Sequence, residues 1–429
     1  MNLQQQYPEQ PVPGTRSSRL LIIAPHGSYR TAPFIRAAQQ HGLEVLIASQ
    51  GEYSIVSEYA RGLQIDFSDE DEALQRILQT AAEQPFCGII GTDDASTVLA
   101  SRAAAKLGLP HNPLEAVMIA RRKDLARIRL QECGVPVPQF RLLDLNQSLV
   151  EQVRDVAFPA VVKPIALSAS RGVIRVDSPE ELMQAITRIQ TILHSEGDID
   201  PAIRDTLLVE QFIPGEEVAV EGMLYDGKLS ILTLFDKPDA LDGPFFEETY
   251  YVTPSRLPSD VQQAIHATVQ AACRAYGLRE GPVHAECRVN AKGVWILEVA
   301  ARTIGGLCGQ LIQFGLGVSL EELVLAHAQG LRFEASSSGD AAGVLMIPIP
   351  GAGILKRVEG LLAAQKVPLI EEVNIQIRDG YELVPLPEGG SYLGFIFARG
   401  TTSAAVEAAL REAHACLNIV IAPLWKVQI

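Results

Sequence analysis

Between residues 284 and 306 the chain reads HAECRVNAKGVWILEVAARTIGG. Two β-rich runs, VHAECRV and VWILEVA, flank Asn290-Ala291-Lys292-Gly293, a hairpin signature. A three-residue loop from Ala291 to Gly293 puts glycine at the left-handed position and pairs Asn290 with Val294. Glu286 then falls opposite Glu298. Like charges facing each other across a ladder repel. Two facing carboxylates therefore call for a cation, and their oxygens suit a hard one such as magnesium. Arg302 shares their face if the strand continues, and Gly305 and Gly306 allow close approach of backbone to a ligand. His284 lies two residues from Glu286 on the same face. It could deprotonate a nucleophile or orient substrate, and a structural histidine bonded under the hairpin fits equally well. Two solvated glutamates on an exposed hairpin also fit, so other segments must decide.

Lys163 ends the apolar strand AVVK, and SASRG follows five residues later. A buried strand seldom ends in lysine unless the lysine reaches an anion. The small residues Ser168, Ala169, Ser170 and Gly172 can expose backbone N–H groups as a phosphate nest. A solvated lysine beside a flexible loop reads the same way. LLVEQFIPGEEVAVE offers a strand whose free backbone groups could bond an adenine edge, with Glu217 accepting from ribose hydroxyls. A surface hairpin with solvated Glu216, Glu217 and Glu221 is the plain alternative. Lys123 and Arg127 sit one helical turn apart and share a face, which in RRKDLARIR could be no more than an exposed basic one.

These groups need a scaffold. The chain has 429 residues, room for about three domains at ~150 residues each. LLIIAP, APFIRAAQQHG, LEVLIAS and CGIIGTDD alternate strand and helix over residues 19–112, which predicts an N-terminal parallel α/β domain. It lacks G-x-G-x-x-G, so a dinucleotide site is poorly supported. Asn112-Pro113-Leu114-Glu115 opens a linker helix that Gly134 and the prolines after it close. From about residue 140 the pattern becomes α+β, with a small lobe over 140–215 and a large lobe over 216–339. Residues 340–429 read as a third, α+β unit of order β-α-β-β-α-β.

Composition narrows the class further. Hydrophobic content of 47% with 20% charged residues is a soluble, globular balance. A net charge of −15 argues against binding nucleic acid through overall charge. No apolar run reaches the roughly 18 residues of a membrane helix. Residues 1–18 are polar, rich in Pro and Gln and without an apolar core, so they read as a loose tail rather than a secretory signal. The six cysteines are scattered, with no zinc spacing, as in a cytoplasmic protein with reduced thiols.

The order Lys123, Lys163 with its small-residue loop, Glu210 to Glu217, Lys237, Glu286, Glu298, Arg302 resembles the ATP-grasp superfamily across nearly the whole chain. The resemblance implies an ATP-grasp fold that clamps ATP between β-sheets, preceded by the α/β domain. It implies that Lys123 and Lys163 contact ATP and that the 168–172 loop covers the phosphates. Glu210, Gln211, Phe212 and Ile213 would line the adenine, Glu217 would hold the ribose, and Glu286 and Glu298 would bind Mg²⁺ or Mn²⁺. FDKPDALDGPFFEETYYVTPS, VHAE and EVAAR are similar to elements of the L-amino acid ligases, which join amino acids into dipeptides. Ala300, where most of the superfamily carries Asn, departs from the superfamily and matches this branch. By resemblance Glu248 would bind the substrate amino group and Arg302 its carboxylate or acyl phosphate, with Lys237 and Arg302 neutralising charge during transfer. Gly305 and Gly306 would leave room for the acyl substrate. The expected activity is an ATP-dependent carboxylate–amine ligase acting through an acyl phosphate on small molecules, as a homodimer. The alternatives are another ATP-grasp reaction, of the biotin carboxylase or purine-synthesis kind, and a non-catalytic nucleotide-binding protein.

Overall fold

A computed structural model describes residues 18–26, 28–50, 61–196, 199–332 and 339–424. The expected N-terminal tail, except for Ser18, lies outside them. The chain divides into two units. The first holds β1 (Arg19–Ile23), α1 (Thr31–Gln40), β2 (Glu44–Ser49), β3 (Arg61–Gln64), α2 (Glu70–Glu83), β4 (Gly88–Gly91) and α3 (Asp94–Leu107). Its strands are parallel, in the order β3-β2-β1-β4. β1 is RLLII and buried throughout, as parallel strands covered on both faces are. Helix α3 starts where the Asp93 N–H donates to Ser96 Oγ at 3.1 Å. It stops at Gly108, whose φ of +67° suits glycine.

The second unit opens with α4 (Leu114–Arg121), α5 (Lys123–Glu132), β5 (Phe140–Asp144), α6 (Leu149–Val153), β6 (Ala160–Pro164), β7 (Ile174–Val176), α7 (Pro179–His194), α8 (Pro201–Arg204) and β8 (Thr206–Gln211). It continues with β9 (Glu216–Tyr225), β10 (Lys228–Lys237), β11 (Tyr250–Thr253), α9 (Ser259–Tyr276), β12 (Gly281–Asn290), β13 (Gly293–Ala300) and α10 (Gln310–Leu316). Next comes α11 (Leu320–Ala328), which from Glu321 onward belongs to the first unit. There a Cβ on Gly88 would meet the Ala328 carbonyl oxygen at 2.7 Å, so glycine permits the close approach of helix and strand. The second unit ends with β14 (Ala341–Ile347), β15 (Gly353–Glu359), α12 (Leu361–Gln365), β16 (Ile370–Ile375), β17 (Glu382–Leu383), β18 (Gly394–Gly400), α13 (Ser403–Ala415) and β19 (Asn418–Ala422).

Two antiparallel sheets position the site. The smaller has the order β5-β8-β6-β7, and the larger β13-β12-β9-β10-β11-β14-β18-β16. Val218 and Val220 of β9 and Ala285 and Cys287 of β12 pack with Ile265, Val269 and Cys273 of α9. Burying each large aliphatic side chain contributes roughly 1.5–3 kcal/mol. Alternation then sends Glu217, Glu221, His284, Glu286 and Arg288 to the opposite face. The apolar face anchors strands whose other face carries buried charge.

Three local expectations are corrected. The single linker helix is two, because Arg122 is extended (φ −113°, ψ 106°). The break lets the Lys123 N–H donate to the Ile165 carbonyl at 3.1 Å. The segment from 340 onward has the order β-β-α-β-β-β-α-β rather than β-α-β-β-α-β. β14 pairs with β11, so β14, β18 and β16 extend the large sheet, while β17-β15-β19 form a sheet of three. AAGVLMI of β14 is buried throughout, and such a strand requires neighbours on both edges. Finally, β13 ends at Ala300, so Arg302 lies beyond the ladder rather than on it. Among the described residues no single helix is long and apolar enough to cross a membrane.

Candidate active site

The hairpin reaches the expected pairing by another route. Asn290 pairs with Gly293, not Val294, so the loop has two residues. That register alone would put Glu286 out of line with Glu298. A bulge past the Cys287–Ile296 pair takes up Leu297 and restores it, and Glu286 faces Glu298 directly. The Leu297 carbonyl accepts from Arg127 Nη2 at 2.5 Å. Glu286 lies 3.3 Å from Lys237 Nζ and 3.7 Å from His284 Nε2. Glu298 lies 3.6 Å from Lys123 Nζ, which also donates to the Leu167 carbonyl at 2.7 Å. Each carboxylate is thus turned to a different cation.

Cross-strand rows build the rest of this face. Lys237 of β10, Glu217 of β9 and Arg288 of β12 are direct partners in register, as are Glu221 of β9, His284 of β12 and Ala300 of β13. Lys237 Nζ donates to Glu217 at 2.9 Å, to Glu286 and to Glu248. Oxygens of these three glutamates lie within 4.8 Å of one another, a spacing that could also hold a metal ion, but the ammonium bonds to all three. Burial opposes the charge on Lys237, and the three carboxylates outweigh it and hold its pKa well above the usual value. Burial pushes Glu248 up to about 7 against the pull of Lys237. Burial also works against Glu286, but Lys237 and His284 hold its carboxyl well below the usual range.

Glu217, expected at a ribose, has both oxygens engaged, by Lys237 and by Arg288 Nε at 2.9 Å. Arg288 also donates to the carbonyls of Ile213 and Leu241. His284 Nδ1 lies 3.1 Å from Glu221. Burial would lower the His284 pKa, and the bonds to Glu221 and Glu286 reverse this and raise it to about 9.

On the small sheet, Lys163 and Arg127 both bond to Glu210, and all three are buried. Burial and Arg127 push the Lys163 ammonium down despite Glu210. The backbone near Glu210 is less available than the strand pattern implied. The Gln211 and Phe212 N–H groups donate to the Gln139 and Pro159 carbonyls at 2.8 and 3.0 Å, and the Ile213 carbonyl accepts from Arg288. The guanidinium groups of Arg175 and Arg288 lie 4.4 and 4.9 Å from the Phe212 ring centre. In the loop, Ser168 and Ala169 are exposed, and Ala169, Ser170 and Gly172 have φ of +56°, +54° and +68°. The Gly172 N–H donates to the Pro387 carbonyl at 2.9 Å, and Arg171 Nε donates to the Glu388 carbonyl at 3.0 Å. Segment 385–390 therefore packs on this loop.

Arg302 is buried and donates to the Thr303 carbonyl at 3.0 Å. Gly306 has φ of +62°, and a Cβ there would meet the Phe395 ring at 3.1 Å. The space beside it is filled by Phe395, so glycine meets the demands of backbone and ring. Sequence reading missed three groups. Arg127 was taken for part of a basic face and is buried at 2% exposure. Glu221, for which the sequence offers solvation as the plain alternative, is at 0% exposure. Arg288 was not singled out. A signal was present: E-x-x-x-E at 217–221 and H-x-x-x-R at 284–288 are complementary when laid antiparallel.

Residues 156–310 match the ATP-grasp domain, residues 35–111 the ATP-grasp N-terminal domain, and residues 345–422 the L-amino acid ligase C-terminal domain 2. In this order the matched segments are similar to those of the ATP-grasp ligases. The L-amino acid ligase of Bacillus licheniformis is 26% identical in its crystal structure, with a TM-score of 0.78 over 95% of this chain and 100% of that one. The alanine–anticapsin ligase of Bacillus subtilis is 23% identical over 60% of this chain and 57% of its own length. Carnosine synthase 1 of Gallus gallus is 29% identical over 63% of this chain and 30% of its own. The aligned region thus spans about half or less of these two relatives.

Proposed function

We propose that this protein is an ATP-dependent ligase that joins the carboxylate of one amino acid to the amine of another. The observation that carries the reading is the single sheet face on which Glu286 faces Glu298 beside Lys237, His284 and Glu248. The likeness to ligases named for amino acids supports it.

Enzymes of this fold use ATP and a divalent cation. Glu286 and Glu298 fit such a cation by donor chemistry: two hard oxygen ligands face each other on adjacent strands, each now balanced by an ammonium. A bound Mg²⁺ or Mn²⁺ would neutralise charge on the ATP phosphates. Lys163, with its charge disfavoured by burial and by Arg127, gains from an arriving phosphate. Lys123 and the 168–172 loop act at the same end, and the segment from Glu210 to Ile213 lies on the adenine side. A substrate carboxylate oxygen attacks the γ-phosphorus and ADP leaves, giving an acyl phosphate. Lys237 and Arg302 balance the charge of that transfer. The neutral amine then attacks the acyl carbon, the C–O bond to phosphate breaks, and phosphate leaves with the proton the nitrogen gives up as the amide forms. Glu248 holds the substrate ammonium. His284, between two carboxylates and with a raised pKa, fits the role of a fixed positive charge that orients substrate better than that of a base. Gly305 belongs to the backbone that borders the acyl group, and Gly306 brings Phe395 to the same border. None of the six cysteines forms a disulfide among the described residues, which supports a reducing, cytoplasmic setting.

The test is phosphate release from Mg-ATP with pooled amino acids, followed by mass spectrometry of the products. Amino-acid-dependent release with a dimer mass lacking one water is expected. Turnover that responds only to bicarbonate or phosphoribosylamine, or ATP binding with no product, would replace this reading with the other ATP-grasp reactions or with a binding protein.

A further inference from the structure

We propose that Glu221 is a positioning residue that holds the Arg302–Gly306 segment and His284 in place for the acyl substrate. The inference rests on the ligase reading for what is being positioned, and on geometry for how. Glu221 lies in the middle of β9 with no exposed surface. A buried carboxylate is costly unless its oxygens are satisfied. Here it accepts the Ile304 N–H, at 3.0 and 3.2 Å to its two oxygens, and the His284 Nδ1 proton at 3.1 Å.

The two partners explain what this charge is for. The ladder that fixes β13 ends at Ala300. Four residues later the Ile304 N–H points at Glu221 across the site rather than along a strand. The bond falls within the stretch that carries Arg302, Gly305 and Gly306. His284 reaches from Glu221 towards Glu286, with Nε2 at 3.7 Å from its carboxylate. One carboxylate thus ties the substrate-side turn to the carboxylate pair. An apolar residue would serve the packing of β9 as well, but could make neither bond. The arrangement is already present in the register: Glu221 and His284 are direct cross-strand partners.

Glu221→Gln keeps size and one acceptor oxygen but removes the charge. In the full chain with Mg-ATP, the half-saturating concentration of an equimolar mixture of the standard amino acids should rise about tenfold or more, while that for ATP stays within roughly twofold. Hydrogen exchange in the peptide spanning residues 301–307 should quicken by about tenfold, while peptides from β9 and β12 keep their protection. Equal changes in both half-saturating concentrations, or unchanged exchange over 301–307, overturns the proposal. If the wild-type chain forms no amide, the ligase reading fails and the exchange measurement alone decides on the anchor. If the glutamine variant does not fold, the wild-type Ile304 amide decides. Exchange as slow as that of β12 amides supports the anchor, and exchange at the rate of an open loop refutes it.

Discussion

Replacing Arg127 by methionine keeps the bulk of a long side chain and removes a buried charge. The guanidinium bonds to Glu210 and to the carbonyl of the bulged Leu297, and its side chain is 2% exposed. Burial works against its charge, and Glu210 more than restores it. Without Arg127, Glu210 keeps only Lys163 among these partners, and the Leu297 carbonyl loses its donor. Breaking a buried pair from one side costs about 3–5 kcal/mol. Unfolding entropy near 2.1 cal/mol/K per residue, over a unit of about 300 residues, converts this to a fall in Tm of about 5–8 °C. The half-saturating ATP concentration should also rise, because Glu210 orients Lys163. Arg129→Met is the control. Arg129 lies on the same helix with its side chain 36% exposed and pairs with Glu115, so its loss should cost under about 1 kcal/mol. Scanning calorimetry and ATP titration of both variants give the answer. Equal shifts for the two would refute the buried network and restore the basic-face reading.

Three further outcomes follow from the site. Glu298→Gln should lower Mg-dependent turnover by about 100-fold or more with little change in Tm, since Glu298 is one-third exposed; retained turnover would remove it from the cation site. His284 is raised to about 9 from 6.5, so its contribution is complete below pH 6.5 and is lost as pH rises through about 9. Tm of the wild-type chain should therefore fall over that interval, and His284→Gln should flatten the fall; parallel profiles would exclude the histidine. Glu388 bonds to Arg188 through both carboxylate oxygens, at 2.5 and 2.9 Å, while its carbonyl holds Arg171 of the 168–172 loop. Glu388→Gln should speed hydrogen exchange over 168–172 and weaken ATP binding several-fold, whereas an unchanged loop would show that backbone bonds alone hold it.

Much of this site was legible in residue types and spacing. Alternation along β9 and β12 put the charged residues on one face and the apolar ones under α9, because a strand repeats every two residues. Lys163 at a strand end was legible for the same local reason, and the partner it meets there is Glu210. The pairing of Glu286 with Glu298 was also read correctly, but through the wrong loop. A two-residue turn and a bulge at Leu297 give the same partners, and Arg127 donates to the Leu297 carbonyl in the bulge. That bond joins residues far apart in sequence, and no local pattern contains it. The burial of Arg127, Glu210 and Glu221 is of the same kind: each charge is stable inside only because partners from other elements converge on it. The sequence by itself determined that β12 and β13 form a hairpin with Glu286 opposite Glu298. Only the tertiary structure decided which cation meets which carboxylate, since that choice depends on the order of strands in the sheet and on desolvation. Neither is written in the spacing of a single strand.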